Sequence, residues 1–147
     1  MDIITYSPKL FLDDQIRKFI KNIIFNEYDQ QKVLRKDLKD LKVYIKKKNK
    51  LYLLIDNNNI YGTIGVIGMR DKAILKRFYI KKMMRGKGFG SLLFNKAFSF
   101  IKKNNFKYIC LYCDTKKMKK AYQLYLNKGF KIIKEREDGY AMMRLNL

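Results

Sequence analysis

The residues best placed to do chemistry gather in one string, Arg85-Gly86-Lys87-Gly88-Phe89-Gly90, followed by Ser91. Its three alternate glycines lie between an apolar run ending at Ile80 and another opening at Leu92. Residues without a Cβ let a polyanion approach the main chain, where free N–H groups and the positive pole of a following helix bind it. A tight turn with no ligand is the competing reading. A P-loop needs GxxxxGK[ST], which is absent. Against a dinucleotide fingerprint, Gly86 and Gly88 fit but Ser91 fills the last glycine place. Asp114 could pose as the ribose-binding acid, yet too little chain follows it to complete a doubly wound sheet.

Other chemistries are excluded by composition. The chain has no histidine and two cysteines, so a structural zinc site, a Ser-His-Asp triad and a Cys-His dyad are all unavailable. Acid–base work falls to Tyr, Asp, Glu, Lys, Cys or water, and no metal is expected. Cys110 and Cys113 lie in the apolar run KYICLYCDT, where a strand sends residues three apart to opposite faces. A redox CxxC would instead open a helix, so these read as buried structural thiols.

The 147 residues fit one domain, 1–147, and 48% hydrophobic residues suffice for a core. A net charge of +21 raises nucleic acid as a partner. Only seven of the 34 basic residues are Arg, however, and the Lys are dispersed from Lys9 to Lys134. Arg dominates bidentate phosphate recognition, so a solvated Lys coat is favoured over a nucleic-acid face. No leader pattern and no apolar stretch of membrane-spanning length occurs, which makes a cytoplasmic protein without a membrane partner the expectation.

Several elements must position the glycine string. Asp2 to Tyr6 reads as a first strand, and Leu12, Ile16, Phe19, Ile20, Ile23 and Ile24 mark an amphipathic helix over 11–26. A weaker helical patch follows around Leu34, Leu38 and Leu41. Leu51 to Ile55 and Ile60 to Met69 form a hairpin across Asp56-Asn57-Asn58-Asn59, and Ala73 to Ile80 adds a strand. A helix carries Leu92, Leu93, Ala97, Phe100 and Ile101. Lys107 to Cys113 is a strand, residues 117–127 a helix stopped at Gly129, and Phe130–Glu135 pairs with Tyr140–Leu145 across Asp138-Gly139, a type I′ signal. The order βαα-ββ-β-α-β-α-ββ implies a mixed α/β sheet, mostly antiparallel, with one central right-handed β-α-β crossover.

Two strings in this order resemble a family. Arg85-Gly86-Lys87-Gly88-Phe89-Gly90 is similar to the R/Q-x-x-G-x-G/A pyrophosphate-binding motif of the Gcn5-related N-acetyltransferases (GNAT). Ala121-Tyr122-Gln123-Leu124-Tyr125-Leu126-Asn127-Lys128-Gly129-Phe130 resembles their A-x-x-L-Y-x-x-x-G-F segment. The resemblance covers essentially the whole chain. It implies a V-shaped cleft between the fourth and fifth strands in which the pantetheine arm of acetyl-CoA lies, bonded by backbone groups of Phe78, Tyr79 and Ile80. The N–H groups of Arg85, Gly86, Lys87, Gly88, Phe89, Gly90 and Ser91 would cradle the pyrophosphate. Tyr125 would be the general acid that protonates the departing thiolate, the competing reading being that it simply packs. Ile74 stands where many relatives carry a glutamate base, and Met118 where they often carry an asparagine that contacts the cofactor. Glu27, Asp29 and Asp114 are candidate replacement bases.

The reading that follows is acetyl transfer from acetyl-CoA to a primary amine, small molecule or peptide, by direct attack in a ternary complex, in a monomer or homodimer. A basic nucleic-acid-binding module and a catalytically silent acyl-CoA-binding GNAT protein are the alternatives. The acceptor has no diagnostic motif.

Overall fold

The computed structural model describes residues 1–27 and 36–147, with the side chains of residues 10, 11, 26 and 27 left aside. Leu34 of the weaker helical patch lies outside the described residues, as does Asp29, and so does the side chain of Glu27. Strand β1 (Asp2–Thr5) leads to helix α1 (Leu10–Glu27), the one-turn helix α2 (Lys36–Lys39) and a 3-10 turn (Leu41–Ile45). Strands β2 (Lys50–Asp56), β3 (Asn59–Met69) and β4 (Lys72–Ile80) follow. Helix α3 (Phe89–Lys103), β5 (Tyr108–Asp114), α4 (Lys119–Asn127), β6 (Lys131–Glu135) and β7 (Tyr140–Asn146) complete the chain.

The seven strands form one sheet in the order β1-β2-β3-β4-β5-β7-β6. Neighbours are antiparallel except β4 and β5, joined through α3. This is the mixed α/β sheet expected, although β7 lies between β5 and β6, an insertion the local pattern does not specify. One face packs against α3 and α4, burying Leu93, Phe94, Ala97 and Ile101 with Ile64, Leu111, Phe130 and Met143. The other packs Ile16 and Ile20 of α1, Leu38 of α2, and Leu41 and Tyr44 of the 3-10 turn on Leu51 and Leu53.

Local chemistry explains the joints. Asn57 and Asn58 both take positive φ (47° and 64°), as a type I′ turn between β2 and β3 requires. The β6–β7 connection differs from the type I′ turn expected of Asp138-Gly139. Gly139 adopts φ +91°, whereas Asp138 is not among the residues of positive φ. Gly139 N–H donates to the Arg136 carbonyl at 3.0 Å and Arg136 N–H to that of Tyr140 at 2.9 Å. That is a three-residue loop, a type I turn closed by a left-handed glycine. At the end of α4, Gly129 N–H donates to Leu126 and Phe130 N–H to Tyr125, at 3.0 Å each. With Gly129 at φ +96° this is a Schellman motif, and its customary apolar contact is the Phe130 ring on Tyr125 at 5.8 Å.

Candidate active site

A parting of strands creates the site. β4 and β5 pair only over Lys72–Ile74 and Tyr108–Cys110. Beyond Cys110, β5 stays bonded to β7 while the rest of β4 stays bonded to β3, so a wedge opens between them. A bulge helps turn β4 away. Thr63 pairs with Tyr79 and Gly65 with Lys76, which leaves one extra residue on β4. Arg77 sits there at φ +55°, and the doubled residue lets both Lys76 and Arg77 reach the α2 face.

A buried polar cluster anchors the bulge. Arg77 Nε and Nη2 each donate to Asp37 of α2 at 2.8 Å, Tyr44 Oη donates to Asp37 Oδ2 at 2.7 Å, and Lys76 Nζ lies 3.8 Å away. Thr63 Oγ1 donates to the Arg77 carbonyl at 2.6 Å. Burial pushes the Asp37 carboxyl up, but the Arg77 hydrogen bonds and charge, with the Tyr44 hydroxyl, outweigh it and hold the pKa at about 2. Burial and the neighbouring Asp37 push the Tyr44 phenol up. The Tyr79 phenol is also raised, chiefly by burial.

The wedge opens into a cleft of about 520 Å³ between the end of β4 and the start of α4. Phe78, Tyr79, Ile80, Arg85, Gly86 and Gly90 line one wall. Lys116, Lys117, Met118, Lys119, Lys120, Ala121 and Leu124 line the other. Gly86 and Gly88 take φ +75° and +88°, and a Cβ on either would meet nothing within 4 Å. Their glycine identity is thus set by backbone handedness, with open space above both. Gly88 is the N-cap of α3, whose first N–H groups have no partner within the helix. Arg85 Nε donates to the Ile80 carbonyl at 2.8 Å, which folds its side chain along the cleft wall.

Of the residues expected to bind the cofactor, Lys87, Gly88, Phe89 and Ser91 flank the cleft rather than line it. Lys87 and Ser91 are exposed, and Phe89 packs against the core under α3. Tyr125 is in the right helix, but its side chain is 6% exposed and its ring rests on Phe78 (6.3 Å) and Phe130 (5.8 Å). Its helix neighbours Ala121 and Leu124 face the cleft. The lysine wall matches no motif of its own. Its signal was the run Lys116-Lys117-Met118-Lys119-Lys120 directly before the Ala121 segment, concealed by lysine elsewhere.

Other candidates are committed. Asp114 Oδ1 accepts from the N–H groups of Lys116 (3.0 Å) and Lys117 (2.9 Å), so this carboxylate shapes the loop into α4. Cys110 and Cys113 are free and buried, and burial first, then the Asp114 charge, push the Cys113 thiol up to about 12. Ile74 sits at the branch point, paired with Ile67 and Cys110. Among the described residues no group of three His, Cys, Asp or Glu could hold a metal, and no helix is long and apolar enough to cross a membrane.

A bulged central strand parting from its parallel neighbour, with a glycine turn opening a helix beside the gap, defines the fold of the N-acyltransferases. The family profile described as an acetyltransferase (GNAT) domain matches residues 12–143, and the chain belongs to that family. The protein is accordingly an acyltransferase of the CoA-using kind. A GNAT-family acetyltransferase from Staphylococcus aureus Mu50 superposes with a TM-score of 0.85 at 25% identity, covering 99% of each chain. An acetyltransferase from Streptococcus agalactiae 2603 gives 0.85 at 20% identity, over 99% of this chain and 98% of that one. The PaiA N-acetyltransferase from Thermoplasma acidophilum, solved in complex with coenzyme A, gives 0.79 at 16% identity over 100% of both chains. No curated protein matches the sequence.

Proposed function

We propose that the protein moves an acetyl group from acetyl-CoA to a primary amine by direct attack within a ternary complex. The observation that carries this is the cleft itself, in which β4 beyond Ile74 has no β5 partner and faces a glycine turn at the start of α3. The residues fit a thioester attached to a diphosphate. Main-chain groups of Phe78, Tyr79 and Ile80 are the natural partners of an extended amide arm, as a strand would be. N–H groups from Arg85 to Ser91 and the helix pole suit the diphosphate, with the open space over Gly86 and Gly88 admitting it. Arg85 and the Lys116–Lys120 wall add charge.

Acetyl-CoA supplies an activated carbonyl and a thiolate leaving group. Tyr125 donates the proton that the thiolate needs, since a phenol stays protonated at neutral pH. Ile74 fills the glutamate's place with an alkyl chain, and water takes the amine's proton. Placement of the two reactants and backbone donors to the developing oxyanion supply most of the acceleration.

Melting temperature with and without acetyl-CoA tests this, with NAD and a short RNA as controls and Gly88→Trp as the variant. A ligand at 100 times its Kd adds about 2.7 kcal/mol to the native state, or roughly 5–10 °C for a domain of this size. The expected rise is specific to acetyl-CoA and lost in Gly88→Trp, whose indole would fill the space over the turn. A rise with RNA alone would transfer the case to a nucleic-acid-binding module, and a rise without any turnover to a silent acyl-CoA binder.

A further inference from the structure

Alternation along β5 sends Ile109, Leu111 and Cys113 into the core under α3 and α4, leaving Tyr108, Cys110 and Tyr112 on the opposite face. β7 likewise buries Met143 and packs Leu145 inward, and turns Tyr140, Met142 and Arg144 to that opposite face. Tyr112 lies two residues beyond the last β5 residue paired with β4, on the diverging arm of the wedge. It is 55% exposed and stacks on Tyr140 with ring centres 5.9 Å apart and planes 12° from parallel. Tyr79, on the other arm, packs toward the same face while also lining the cleft. A tyrosine shelf of Tyr112 and Tyr140 therefore borders the split on the face away from α3 and α4.

Arginines lie against the tyrosine rings of this face. The Arg136 guanidinium lies 5.5 Å from the Tyr140 ring centre, and Arg144 lies 3.7 Å from that of Tyr108. Of the described carboxylates nearby, Asp37 is held by Arg77 and Tyr44, Asp114 by two backbone N–H groups and Asp138 by Arg136 at 2.6 Å, while Glu135 and Glu137 stand exposed on the β6–β7 hairpin. A polycation meets long-range repulsion from a chain of net charge +21. A flat ring gains a stacking surface in Tyr112, and an acceptor of zero or negative net charge escapes that repulsion.

Resting on the acetyltransfer reading above, we infer that the acceptor is a primary amine borne on a flat aromatic group, of zero or negative net charge, seated on Tyr112 and Tyr140. It is not a polyamine or other polycationic amine. The full chain at saturating acetyl-CoA, assayed by acceptor-dependent thiol release, tests this with phenylalanine, alanine, phenethylamine and spermidine, which separate ring from charge. The expected kcat/KM is highest for phenylalanine and at least about tenfold lower for spermidine. Tyr112→Ala, at an exposed site, raises the phenylalanine KM about three- to tenfold, the worth of one aromatic stack, and leaves alanine unchanged. Added salt narrows the gap to spermidine by screening. Spermidine or alanine outrunning phenylalanine, a ring preference that survives Tyr112→Ala, or no turnover of any of the four would overturn the inference. The acetyl-CoA melting shift separates the two failures. Its presence in wild type and Tyr112→Ala leaves the donor site standing whatever the acceptors do, while its absence removes the donor reading and this proposal together.

Discussion

Replacing Asp37 with Asn should cost this protein more stability than any other single polar change in its described residues. Asp37 is 6% exposed and holds two 2.8 Å bonds from Arg77 and one of 2.7 Å from Tyr44, across 40 residues of sequence from β4. Asn preserves the shape but leaves the buried Arg77 guanidinium without a counter-charge, a loss of about 3–5 kcal/mol in such settings. The lower end, about 3 kcal/mol, applies because the Asn carbonyl can still accept from Arg77. At roughly 2–4 °C per kcal/mol, the midpoint should fall by about 6–12 °C in thermal melts followed by circular dichroism at pH 7. The double variant Asp37→Leu with Arg77→Met, which removes both charges, should melt above Asp37→Asn. The pH dependence has a definite sign. The folded-state pKa of about 2 lies below the unfolded value of 3.8, so the Asp37 contribution is complete above pH 4 and disappears as pH falls from about 4 to 2. The gap between wild type and Asp37→Asn should therefore close over that window. A gap of under 3 °C at pH 7, or one unchanged at pH 2, would refute the reasoning.

Tyr125→Phe keeps the ring contacts with Phe78 and Phe130 and removes only the hydroxyl, so kcat should drop about 100-fold with the melting point held within a few degrees; a large melting change with normal kcat would make the residue purely structural. With Ile74 at the branch point and Asp114 committed to backbone N–H groups, kcat/KM should rise with pH along the acceptor amine's own ionisation, measured with two amines of different pKa. A limb near pH 6–7 common to both amines would reveal an enzyme base instead. Native protein at pH 8 should react with a thiol reagent at neither cysteine and at both once unfolded, since Cys110 and Cys113 are buried and the Cys113 thiol lies at about 12.

Much of this was legible because it is local. The spacing of Leu12, Ile16, Phe19 and Ile20 is enough for the first helix, and Gly129-Phe130 carries the signature of the Schellman stop that ends α4. Gly86, Gly88 and Gly90 mark the turn before α3; Gly86 and Gly88 take positive φ there, and Gly86 and Gly90 line the cleft. Asp138-Gly139 carries a two-residue turn preference, but three residues lie between the strands, and that loop length favours a single left-handed glycine.

The sequence by itself determined the elements, their order, the glycine turn and the exclusion of histidine chemistry, since propensity, period and composition act within a few residues of chain. Tertiary structure decided the rest. The bulge at Arg77 becomes visible only when β4 is laid against β3, and its partner Asp37 only when α2 packs on that face. β7 enters between β5 and β6 because pairing is chosen by the whole sheet, not by neighbours in sequence. The lysine wall is one run, Lys116–Lys120, that comes to face the glycine turn only across the split, and the tyrosine shelf joins Tyr112 and Tyr140 from separate strands.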